Sequence, residues 1–124
     1  AKEVKVALVK VKEETINTYG IVSSKTAMEM AEGGQAQLGV DYCISFTGNA
    51  GPCVQDSKAV GEVFIGLAFK DQCIVEHFNF SGTRNEIRKA TVNQGWKILE
   101  RVIKEQDDDY LLIGENKNGK RKKH

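Results

Sequence analysis

The chain has 124 residues, 40% hydrophobic and 28% charged, with a net charge of +1, which is room for one hydrophobic core and too little for two. No apolar run approaches the ~20 residues of a membrane-spanning helix, and no signal-peptide pattern opens the sequence, so a cytoplasmic domain without a membrane partner is expected. Lys117, Lys120, Arg121, Lys122 and Lys123 crowd the carboxyl end; the rest carries 13 basic against 17 acidic side chains, and a body at −4 makes a poor nucleic-acid surface.

In chain order, residues 3–10 read as a helix, with Val4, Leu8 and Val11 at i, i+4, i+7. A turn through Lys12–Thr18 leads to Tyr19-Gly20. Ser23 or Ser24 then caps a second helix, because a hydroxyl there accepts an otherwise unbonded backbone N–H. Ala27, Met30, Ala31, Gly34 and Leu38 make its buried stripe, and Gly39 suits the left-handed residue after the end. Gly33-Gly34 costs roughly 1 kcal/mol per glycine against alanine, so close backbone packing is expected there. Tyr42–Phe46 is short and nearly all apolar, the mark of a strand covered on both faces. Glu62–Phe69 and Cys73–Phe80 read as two strands of an antiparallel hairpin, joined by the short turn Lys70-Asp71-Gln72.

Thr83-Arg84-Asn85-Glu86 is a capping box. The long helix after it places Ile87, Ala90, Thr91, Ile98 and Val102 on one side, with Val92, Trp96, Leu99 and Ile103 widening the apolar face. Three aspartates oppose the negative end of its dipole near Gln106, where it is expected to stop. That sets a domain over 1–106 and a charged, partly disordered tail over 107–124. A buried strand with helices before and after implies a layered α/β domain. Cys43, Cys53 and Cys73 have no metal-ligand spacing and an odd count, which predicts reduced thiols and no metal.

Two segments are placed to carry chemistry. Thr47-Gly48-Asn49-Ala50-Gly51-Pro52 follows the carboxyl end of a buried strand, where ligands of open α/β sheets collect. Its glycines admit a close backbone approach and Thr47 brings a hydroxyl; a plain turn closed by Pro52 fits the same residues. Ser81-Gly82-Thr83-Arg84 opens a helix, where free N–H groups and a guanidinium suit a phosphate or carboxylate. An ordinary capped helix with a solvated arginine is the alternative. Lys5 by itself is one more surface lysine. His77 and His124 have no partner at triad or metal spacing and receive no role.

Taken together, Lys2-Glu3-Val4-Lys5, Glu13-Glu14-Thr15, Tyr19 to Ser23, Ala27 to Gly33, Thr47 to Pro52, Val60-Gly61, Ile65-Gly66-Leu67, Phe80-Ser81-Gly82, Arg84 and Ile87-Arg88 resemble the CinA carboxy-terminal domain family. The resemblance runs from Lys2 to about Glu105. It implies a three-layer α/β/α domain with a mixed sheet, lacking the family's amino-terminal strands. It also implies hydrolysis of nicotinamide mononucleotide to the acid plus ammonia, with no cofactor. In that family a serine nucleophile works with a lysine base beside a TGxAGP-type loop. Carried onto this sequence, Lys5 matches the lysine, Thr47 the loop threonine, Gly48, Ala50, Gly51 and Pro52 the substrate-holding loop, and Arg84 the arginine near the substrate.

The sequence departs from the family in places. The serine-bearing segment has no counterpart, Lys2 stands where asparagine is usual, Asn49 replaces an aliphatic residue, and Cys53-Val54-Gln55-Asp56 replaces a glycine run. The chain opens on Ala1 rather than Met, so its true start is expected to be either missing or processed. Two readings follow: a deamidase domain inactive without the missing segment, and a non-catalytic domain that binds a nucleotide or a protein. With only three strands expected, 42–46 becomes an uncharged edge, and either a second copy, making a homo-oligomer, or the missing segment is expected to cover it.

Overall fold

The first segment that pairs in the sheet is Val6–Val9, strand β1, where spacing predicts a helix over 3–10. Two of its four residues are valines, whose Cβ branching suits a pleated surface. Pairing settles the choice. β1 runs parallel to β2 (Tyr42–Gly48), with Val6 opposite Tyr42 and Val9 opposite Ser45, whereas an eight-residue helix would be marginal by itself. The computed structural model describes residues 4–9, 22–48 and 61–115 of the chain, with side chains described at 4–8, 22–48 and 61–106.

Helix α1 (Ser24–Leu38) begins as its sequence suggests. Ser23 is the cap: its Oγ accepts from the Thr26 N–H at 3.1 Å. Gly39 closes it in the left-handed conformation, φ 64°, with its N–H donating to Gln35 O. Thr26, Ala27, Met30, Ala31 and Gly34 are buried. Leu38 is not; it is 55% exposed at the helix end.

β3 (Glu62–Phe69) and β4 (Gln72–Asn79) form the expected hairpin. The sheet order is β1-β2-β3-β4, with β1–β2 parallel and the other two pairs antiparallel. β2 is therefore interior, and the expectation that it forms an edge is corrected: the residues read as a first helix supply the strand beside it. Helix α2 spans Arg84–Glu115 and does not stop at Gln106. Between Gln106 and Gly114 the sequence has neither glycine nor proline, and the dipole penalty of a few aspartates, about 0.3–1 kcal/mol each, does not break a helix already running.

Strand alternation sorts the core into two sides. Ile44, Val63, Ile65, Leu67 and Phe69 pack with Ile87, Ile98, Leu99 and Val102 of α2. On the opposite face Cys43 and Ala68 pack with Ala31 of α1. The result is an α/β/α sandwich around a mixed sheet. Val92 and Trp96, expected to widen the buried face of α2, remain 46% and 48% exposed.

Gly66 sets how closely α1 can lie on the sheet. A Cβ there would fall 2.6 Å from Ala27 O and 2.7 Å from Ser45 Oγ. Without one, the buried Ser45 hydroxyl donates to Ala27 O at 2.6 Å, which ties helix to sheet. Gly66 thus provides close helix–sheet packing from the strand side.

Candidate functional site

Thr47 and Gly48 are the last two residues of β2 rather than the start of a loop. Thr47 is 4% exposed and, by alternation with Cys43 and Ser45, faces α1. Gly48 pairs with Val63. A Cβ at Gly48 would lie 2.7 Å from Glu62 O and 2.9 Å from a Val63 methyl, so glycine is required for β2 and β3 to meet here. Ala50, Gly51 and Pro52, the rest of the expected loop, lie outside the described residues, as does Cys53.

Both helices turn their amino ends to this rim. Ala27 contacts Ser45 and Gly66, while Ala31, one turn on, packs with Cys43 and Ala68. α1 therefore runs antiparallel to β2, and Ser23 points toward Thr47. On the other face Phe80 N–H donates to Gly61 O at 2.9 Å, which fixes the start of α2 beside the beginning of β3. Thr83 and Glu86 close the capping box in both directions: Thr83 N–H donates to Glu86 Oε1 at 2.8 Å, and Glu86 N–H to Thr83 Oγ1 at 3.2 Å. Arg84 is exposed in the first turn. One turn further, Arg88, Lys89, Val92 and Asn93 line an open groove of about 360 Å³. Two helix dipoles and these cations make the rim favourable to an anion.

The structure does not bring Lys5 to this rim. Lys5 precedes β1 and is exposed; its amide donates to Asp41 Oδ2 at 3.1 Å, and its carbonyl accepts from Asp41 and Tyr42. Thr47 lies five residues beyond Tyr42 along β2, roughly 17 Å at strand rise. Lys5, expected on a helix near the loop, thus lies at the opposite end of the parallel pair.

His77, given no role from its sequence neighbours, stands on the rim. It pairs in register with Phe64, which pairs with Thr47, and its Nε2 is 2.7 Å from Glu62 Oε2. The hairpin register is the signal that joins these residues. Cys43 and Cys73 are free thiols. Burial, with Glu32 adding to it, pushes Cys73 up to about 11, and burial raises Cys43 as well; neither is a thiolate nucleophile at neutral pH. Among the described residues no three His, Cys, Asp or Glu side chains converge as metal ligands, and no helix is long and apolar enough to cross a membrane.

Comparison with known proteins agrees with this geometry. Residues 1–103 match the family model described as the CinA C-terminal domain. A CinA-like protein of Endomicrobium trichonymphae is 47% identical over 104 residues, 83% of this chain and 24% of the relative. The chain spans about a quarter of the length of the curated relatives it matches. In fold it is similar to a CinA superfamily protein from Escherichia coli, with a TM-score of 0.72 at 18% identity over 80% of each chain. It is also similar to the competence/damage inducible protein CihA of Agrobacterium tumefaciens, with a TM-score of 0.71 at 22% identity over 79% of this chain and 84% of that one.

Proposed function

Because the chain belongs to the CinA C-terminal domain family, we propose that the carboxyl end of β2 is a nicotinamide ribotide site, and that the domain serves hydrolysis of the carboxamide to the acid plus ammonia. The supporting observation is convergence. Thr47 and Gly48, the amino ends of α1 and α2, and Arg84 all belong to one rim of the sheet. In this reading the phosphate lies against Ser81–Arg84, where N–H groups and a guanidinium suit it. The carboxamide lies further along the same rim, toward the strand ends, where a backbone N–H can stabilise the oxyanion that forms as the carbonyl is attacked. The reading carries with it a cytoplasmic setting and a part in recycling pyridine nucleotides.

Calorimetry with nicotinamide mononucleotide tests the site. Arg84→Ala is expected to lose about 1.5–3 kcal/mol, the range for a hydrogen bond to a charged group. Unchanged affinity makes Arg84 an ordinary solvated side chain.

A second reading is favoured by the position of Lys5. Lys5 is roughly 17 Å along the sheet from Thr47, so the described residues do not bring the expected base to the loop threonine. The domain then binds the nucleotide without hydrolysing it. Ammonia release by the purified chain above a no-enzyme control would reject this second reading.

A further inference from the structure

A second cluster stands on the same rim. Glu62 opens β3 and His77 lies near the end of β4, their side chains joined at 2.7 Å. The Phe64 and His77 rings stack, with centroids 4.4 Å apart and planes 12° from parallel. Thr47 is opposite Phe64, and Phe64 opposite His77. Alternation therefore sets Thr47, Phe64 and His77 in one row on the α1 face. With strands about 4.8 Å apart, the row is about 10 Å long.

The pair also fixes which nitrogen of His77 is offered. A neutral imidazole has one donor and one acceptor nitrogen, and an ionised carboxylate only accepts. Nε2 must then be the donor toward Glu62, which leaves Nδ1 as an acceptor. The His77 side chain is 44% exposed and that of Glu62 only 15%. A ligand can reach the His77 ring, while the carboxylate behind it acts mainly through its charge.

We propose that Glu62, His77 and Phe64 form a subsite that distinguishes a ribotide carboxamide from the corresponding acid. This rests on reading the rim as a nicotinamide ribotide site. A carboxamide has N–H donors that match Nδ1. Its pyridinium ring is positively charged, which the Glu62 carboxylate and the face of Phe64 both attract. The acid has no N–H to give and brings a second negative charge toward Glu62. An unmatched acceptor and a like-charge pair are the two devices by which a site rejects a near-isostere. Substrate is held, and the product of hydrolysis is expelled from where it forms.

The test is calorimetry on the full chain at pH 8, with nicotinamide mononucleotide and nicotinic acid mononucleotide as probes. The amide is expected to bind at least tenfold tighter than the acid. Glu62→Gln keeps the side-chain shape and removes the charge, and the preference should fall at least threefold, chiefly through tighter binding of the acid. His77→Phe keeps a ring on Phe64 but removes Nδ1; it should weaken the amide about tenfold, the worth of one hydrogen bond, and leave the acid unchanged. A wild-type chain that binds the acid as tightly as the amide overturns the subsite without any variant. So does an equal preference in wild type and Glu62→Gln. In either case the rim remains a nucleotide site, whereas binding of neither nucleotide overturns the rim reading together with the subsite.

Discussion

Gly66→Ala probes the contact that seats α1 on the sheet. A single methyl would sit 2.6 Å from Ala27 O and 2.7 Å from Ser45 Oγ, well inside van der Waals contact. The Ser45–Ala27 hydrogen bond is buried and occupies that same space. Overpacking costs about 1–3 kcal/mol, and a lost buried hydrogen bond adds about 1 kcal/mol. Alanine recovers about 0.4–1 kcal/mol by restricting the unfolded chain. The net is a destabilisation of about 1–3.5 kcal/mol. For a chain of this size each kcal/mol lowers Tm by about 3–5 °C, so a fall of roughly 3–17 °C is expected in a circular-dichroism melt. Urea unfolding of Gly66→Ala, Ser45→Ala and the double variant completes the test. Both changes strike one contact, so the double variant should be less destabilised than the sum of the singles. A neutral or stabilising Gly66→Ala, or strict additivity, would refute the account of how helix and sheet meet.

Thr83→Ala should lower stability by about 0.5–2 kcal/mol through loss of the cap on α2, read as a shift of the urea midpoint. Cys73, raised to about 11 mainly by burial, should react with iodoacetamide slowly at pH 8, the rate climbing about tenfold per pH unit toward 11. Because its folded pKa lies above the unfolded value of 9.0, Cys73 contributes stability that is full below pH 9 and is lost as pH rises through 11; a melt series over pH 8–11 checks the sign. Among the described residues the four-residue β1 is an edge of the sheet; it carries no charge and Leu8 on it is 57% exposed, so light scattering at micromolar concentration should find a dimer. A clean monomer with a cooperative melt would show that this edge needs no second copy.

What the sequence made legible was local. The β3–β4 hairpin followed from two apolar runs and a three-residue turn, and the start of α2 from Thr83 and Glu86, because the residues that decide those features touch within a few positions. β1 was not legible: Val6–Val9 is short enough to fit either period, and its state is decided by β2, more than thirty residues away. Misreading it also moved β2 to an edge. The far end of α2 was misread because acidic residues at its expected close weaken a helix without breaking it. At the site, Thr47, Gly48 and Arg84 stood out through their motifs, and the fold places all three on one rim. Lys5 was placed by resemblance, and the parallel register carries it to the other end. Glu62, Phe64 and His77 share a face only through the hairpin register, and no local spacing announces them.

Amide chemical shifts of the labelled chain, followed during titration with nicotinamide mononucleotide, test the central claim most directly. The account predicts that perturbed amides cluster at Thr47–Gly48, Gly61–Phe64, His77 and Ser81–Arg84. Lys5, Asp41 and Lys70–Gln72, at the opposite end of the sheet, should stay unchanged. Shifts confined to that opposite end, or none at millimolar nucleotide, would contradict it.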